Sequence, residues 1–112
     1  MKLEIKVNEV DDVIVIRLAG NLDTNTSPEA ETEINKWLEK NTKKMMISLE
    51  EIKYVSSAGL RVFLATAKKI TAAGGAVKFC SPNDVVKEIL DISGFSTILD
   101  VKATENEAME SL

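Results

Sequence analysis

Ser56 and Ser57 stand side by side in "IKYVSSAGLRVFL" (Ile52 to Leu64), between a β-like run and a helix-like run. A serine in that position can do three things. It can cap the helix by accepting from an amide of the first turn. It can act as a nucleophile if a base takes its proton. It can be modified, because a helix start tolerates negative charge. Ala58 and Gly59 follow the serines and are small, so a group approaching the first turn meets exposed amides and little bulk. A phosphate there would add about −1.5 to −2 charges to the surrounding surface.

The nucleophile reading fails on composition. The chain has no histidine, which removes Ser-His and Cys-His pairs. Val55 stands where a G-x-S-x-G elbow around Ser57 needs glycine. No catalytic residue is therefore assigned, and no enzyme activity is expected. His-ligated metal sites are excluded as well, and the single Cys80 cannot build a thiolate zinc site. No metal or other cofactor is expected.

Cys80 ends a strand-like run before "SPND", with no arginine in the next ten residues to favour a thiolate. It reads as a core or rim cysteine. Asp11-Asp12 reads as a solvated hairpin turn rather than a phosphorelay acidic pair, since no aspartate ends the third strand. Asp23, in the loop "GNLDTNTS" (Gly20 to Ser27), reads alone as a turn or cap residue.

These residues need elements to hold them. The 112-residue length suits one domain, residues 1–112. Surface scaling gives about 6,100 Å² folded against roughly 17,800 Å² unfolded. With 45% hydrophobic and 29% charged residues the chain reads as globular. The net charge of −4 and the scattered Lys and Arg residues give no nucleic-acid face. No apolar run reaches the ~18 residues of a membrane span. Met1-Lys2-Leu3-Glu4 carries no signal-peptide apolar segment, so a cytoplasmic protein is expected, a monomer or weak dimer.

Leu3, Ile5 and Val7 alternate with Lys2, Glu4 and Lys6 and predict a half-buried strand. Asn8 to Asp12 reads as a turn and Val13 to Leu18 as a second strand, the two forming an antiparallel hairpin. Ser27-Pro28 reads as N-cap and N1 of a helix, with Thr26 and Glu29 as a competing capping box. Ala30, Ile34, Trp37 and Leu38 form its apolar stripe, which makes Trp37 a packing residue. Met45 to Leu49 is a third strand, with Ile52 to Val55 extending it or turning. Ser57 to Ala73 is the longest helix, closed by Gly74-Gly75. Ala76 to Cys80 is a fourth strand, Ser81-Pro82 opens a third helix with Gly94 after its end, and Thr97 to Val101 is a last strand. Thr104 with Glu107 caps a short final helix. The order β-β-α-β-α-β-α-β-α gives an α/β fold: a mixed, mainly parallel β-sheet with an N-terminal antiparallel hairpin and four helices.

Three segments then resemble a known family. They are "VIVIRLAGNLDTNTS" with its G-x-L-D loop, "MMISLEEIKYVSSAGLRVFL" with Ser-small-Gly-Leu before a helix, and "GGAVKFCSPNDVVKEILDISGF". Together they span about Leu3 to Val101, and the chain resembles the bacterial anti-sigma factor antagonists. These are the small single-domain members of the sulfate transporter and anti-sigma factor antagonist (STAS) family. The resemblance implies a partner switch. An unmodified antagonist binds an anti-sigma factor, itself a serine kinase, and so frees a sigma factor. Phosphorylation of one serine ends the binding, and a serine phosphatase resets it. Aligned on Gly59-Leu60, the phosphoacceptor falls on Ser57. Ser56 is the alternative, because it occupies the place where the family often has aspartate. The implied partner-binding surface comprises Asp23, Thr24, Asn25, Ser56, Ser57, Ala58, Gly59 and Arg61. The competing reading within the family is a non-switching scaffold, or a subunit of a transport or signalling complex.

Overall fold

The computed structural model describes residues 3–112; Met1 and Lys2, included in the readings of the N-terminus and first strand, lie outside the described residues. Strand β1 (Glu4–Val10) pairs antiparallel with β2 (Val13–Leu22) through Asp11-Asp12. Both turn residues have positive φ, 49° and 64°, the geometry of a two-residue type I′ turn, which aspartate tolerates. The turn is thus shorter than expected. Asn8, Glu9 and Val10 belong to the strand, opposite Val15, Ile14 and Val13, because ladder hydrogen bonds use the backbone whatever the side chain.

Helix α1 (Ser27–Glu39) leads to β3 (Lys44–Val55), α2 (Ser57–Ala72), β4 (Ala76–Cys80), α3 (Asp84–Ile92), a 3₁₀ turn (Phe95–Thr97), β5 (Val101–Lys102) and α4 (Glu105–Glu110). The sheet order is β1-β2-β3-β4-β5, parallel at every pair except the first. The expected architecture is therefore present, with four helices on a mixed sheet.

A parallel sheet that grows in one direction through crossovers of one hand carries its helices on one face. The side chains follow. Ile14, Ile16 and Leu18 of β2 join Met45, Ile47 and Leu49 of β3 in the main core, under Ala30, Ile34, Phe63, Ile70 and Leu90 from the first three helices. Their alternates Val13, Val15 and Met46 face the other way, with Cys80, against Ala108 of α4. Phe63 meets Phe79 with ring centroids 4.9 Å apart, a favourable tilted aromatic pair. Trp37 packs half-buried on the main core, as its stripe predicts, and its indole N–H donates to Glu33 Oε2 at 3.1 Å. The accessible surface is 6147 Å², matching the size expectation. No helix among the described residues is long and apolar enough to cross a membrane.

Several boundaries differ from the sequence reading. Gly20 to Leu22, expected in a loop, extend β2 and pair with β3. Of the two starts read for α1, Thr26 is the N-cap, yet its side chain makes no capping bond. Helix α3 starts at Asp84, not at Ser81-Pro82. Ser81 has φ 59°, outside helical space, and Asn83 takes the cap, its Oδ1 accepting from the Val86 amide at 2.8 Å. Thr97 to Val101 is not a strand. Gly94, at φ 82°, turns the chain into the 3₁₀ segment, and pairing begins only at Val101.

Gly59 marks the tightest packing under α2. A Cβ there would lie 2.9 Å from Leu22 Cγ and Cδ2 and from Val55 Cγ1, and both partners are themselves buried. In an exposed helix Gly→Ala gains about 1 kcal/mol; here overpacking of about 1–3 kcal/mol opposes it. Gly59→Ala is therefore expected to lower the urea midpoint at unchanged m-value. A variant more stable than the parent would refute the close approach.

Candidate functional site

The site is assembled by the far ends of β2 and β3. Leu22 pairs with Val55, and the Ser56 amide donates to the Leu22 carbonyl at 2.8 Å. The loop that follows β2 therefore lies beside the start of α2. Register shifts between Arg17 and Ala19 and between Gly20 and Asn21 carry the pairing to that point. Gly20, at φ 116°, adopts the left-handed geometry that glycine accepts at a bulge.

The two serines have different surroundings. Ser56 is the N-cap of α2, half-buried, and its Oγ accepts from the Gly59 amide at 3.3 Å. Ser57 is the first helical residue and is exposed. The serine that serves as cap and the serine that is exposed are thus adjacent residues. Ala58 beside them is half-buried and Gly59 fully buried. Gly59 contributes by packing on Leu22 and Val55 rather than by offering a surface.

Asp23 organises its own loop. Its Oδ1 accepts from the amides of Asn25 at 2.9 Å and Thr26 at 3.0 Å. The Thr26 amide, helped by that of Asn25 and by the Thr26 hydroxyl, holds the carboxyl below its ordinary range despite partial desolvation. Thr26 Oγ1 accepts from the Asp23 amide at 2.9 Å and donates to the Asn21 carbonyl at 2.7 Å. That engagement explains why Thr26 does not cap α1 with its side chain. Thr24 and Asn25 form the exposed tip.

Helices α1 and α2 flank an open groove of about 480 Å³. Thr24, Ala58 and Arg61 line it, so the structure gathers three of the predicted residues there. Asp23, Asn25, Ser56 and Ser57 lie at its head, on the loop and helix start, and do not line it. Sequence reasoning missed Ser27, Pro28 and Lys68, which do. A signal for Lys68 existed: Ala58, Arg61, Ala65 and Lys68 recur at helical spacing and form one stripe. The α1 wall depends on how two helices pack, which no local pattern gives.

The other candidates stay structural. Cys80 is buried, and burial pushes its thiol pKa up, against thiolate chemistry. Asp11 and Asp12 are exposed turn residues. Among the described residues no three His, Cys, Asp or Glu side chains gather as a metal site.

Comparison with known proteins extends the geometry. The anti-sigma F factor antagonist of Paenibacillus polymyxa is 29% identical over 113 residues, covering 100% of this chain and 97% of that protein. The Bacillus anti-sigma factor antagonist SpoIIAA has a similar fold. Its unphosphorylated form superposes with a TM-score of 0.81 at 22% identity, over 96% of this chain and 95% of that one. Its phosphorylated form gives 0.73 at 21% identity, over 96% and 98%. The STAS domain model matches residues 4–108, nearly the whole chain, and the protein belongs to the STAS domain family.

Proposed function

We propose that this protein is an anti-sigma factor antagonist whose binding is switched off by phosphorylation of Ser57. The observation that carries the reading is the division of labour between the serines. Ser56 is held as the cap by the Gly59 amide, whereas Ser57, the next residue, is exposed. The similarity to an anti-sigma F factor antagonist over the full chain supports the role. So does the similarity to a fold solved in both phosphorylated and unphosphorylated forms.

The unmodified protein docks its loop 23–26 and the start of α2 on a cognate anti-sigma factor in the cytoplasm. That partner releases its sigma factor. Acting as a serine kinase, the partner then transfers the γ-phosphoryl of ATP. The bond from phosphorus to Ser57 Oγ forms, the bond to the ADP oxygen breaks, and the serine proton leaves to a base on the kinase. A serine phosphatase hydrolyses the ester and restores the binder. The chain acts by binding and by being modified, and it supplies no catalytic group.

The phosphate acts as charge on a contact surface. It sits at the first turn of α2, where the helix dipole favours an anion, so the fold itself is not opposed to it. Asp23 is already ionised in the adjoining loop, and a partner that accommodates one negative group there meets about −1.5 to −2 more.

Two experiments test the reading. Incubation with the cognate kinase and ATP should place phosphate on Ser57, as mapped by mass spectrometry. Labelling should vanish in Ser57→Ala and persist in Ser56→Ala; undiminished labelling of Ser57→Ala would sink the assignment. Ser56→Ala should cost about 1 kcal/mol of stability through the lost cap. Ser57→Asp should weaken partner binding at least tenfold in titration calorimetry while the melting temperature stays nearly unchanged. Binding indifferent to Ser57→Asp would favour a non-switching scaffold.

A further inference from the structure

We propose that Arg61 is the intramolecular partner of a phosphate on Ser57, and that modification draws its guanidinium out of the α1–α2 groove. The inference rests on the reading of Ser57 as the modified residue. Arg61 is four residues further along the same helix, one turn away, about 6 Å along the axis. Side chains on an α-helix tilt toward its N-terminus, so the long Arg61 side chain leans back over the turn that carries Ser57. An acid four residues ahead of a base is the favourable orientation of such a pair. A phosphate offers the guanidinium two oxygens at once, the geometry in which arginine binds most strongly.

Arg61 is available for this. It is exposed, and among the described residues it forms no ion pair. Its one acidic neighbour among the residues lining the groove is Glu31 of α1, a single carboxyl that among the described residues also forms no ion pair. A phosphate near −2 outcompetes it. The other cation of the groove is Lys68, eleven residues from Ser57, about 16 Å along the helix. Lys53 is four residues before Ser57 on β3, about 10 Å or more along an extended strand. Of these three cations Arg61 has the spacing.

The consequence is a switch with two parts. In the unmodified protein Arg61 and Lys68 give the groove positive charge, suited to carboxylates of a docked partner. After modification the phosphate both repels those carboxylates and occupies the guanidinium that held them.

The test uses phosphoserine installed at position 57 during synthesis of the full chain by genetic encoding, so no kinase is involved. Titration by ³¹P NMR reads the second pKa of the phosphate. Arg61→Gln should raise that pKa by about 0.3 unit or more at low salt. Arg61→Lys should restore part of the difference, Lys68→Gln and Lys53→Gln should leave it unchanged, and 1 M salt should abolish it. An identical pKa in the parent and Arg61→Gln proteins would overturn the pairing, as would an equal shift in Lys68→Gln. If the cognate kinase labels some other residue, the function reading falls, while the titration still decides whether Arg61 pairs with a phosphate at position 57.

Discussion

The site depends on one piece of backbone pairing, the parallel run of β2 against β3 out to Leu22 and Val55. Two bulge-like register shifts carry it there, with Gly20 bending at positive φ. Without them β2 would end near Ala19, and the Asp23 loop would not reach α2. With them the Leu22 carbonyl receives the Ser56 amide, which fixes where α2 begins. That start in turn assigns the cap to Ser56 and the exposed first position to Ser57. Gly59 completes the arrangement, because only a residue without a side chain lets α2 lie this close to Leu22 and Val55. A few backbone bonds and one missing methyl thus decide which serine caps and which is exposed.

The sheet topology decides what kind of site this is. Open α/β sheets bind small ligands in the crevice where strand order reverses. Here the order is sequential from β1 to β5 and never reverses. The first three helices pack on one face, and the open groove between α1 and α2 lies along those helices rather than at a reversal of strand order. What remains is a surface, a loop, a helix start and a shallow groove, and such a surface suits a protein partner more than a metabolite. The second face is closed separately by α4. The Arg17 guanidinium meets the Glu105 carboxylate at 2.8 Å, and Ala108 covers Val13, Val15, Met46 and Cys80.

Much of this was legible in residue patterns, and the failures have physical causes. Strand β4 and the start of α2 match because both ends carry strong local signals, a buried apolar run and a serine cap. Gly20 to Leu22 read as loop from their polar setting, but a parallel neighbour supplies ladder bonds to any backbone. The start of α3 was misplaced because Ser81-Pro82 is a good local signal that tertiary structure overrides. The Asn83 amide group donates to the Ile52 carbonyl at 2.7 Å while its oxygen caps the helix, a contact 31 residues away in sequence. Thr97 to Val101 has strand-like residues, yet Leu99 is buried in the core from an irregular segment. Of the site, the serine pair and the Asp23 loop were visible, since each is a short motif. The α1 wall of the groove was not, because it exists only once two helices pack.

The magnitudes favour the proposed modification acting on binding rather than on the fold. The dianion and one facing carboxylate about 6 Å apart, at an effective dielectric near 40 for a wet contact, repel by roughly 2–3 kcal/mol. That is about a hundredfold in affinity. The same repulsion is small against the 5–15 kcal/mol that holds a domain together. It is also short-ranged, since salt screens charges beyond about 8 Å in the cell. The core beneath Ser57 is apolar and has no charge for the phosphate to disturb; Leu22, Val55 and Phe63 are all buried hydrocarbon. A charge added at an exposed first helical residue is therefore felt by whatever touches that turn and hardly at all by the sheet. The placement of Ser57, one residue after the capping Ser56, separates the stability of the fold from the affinity of its surface.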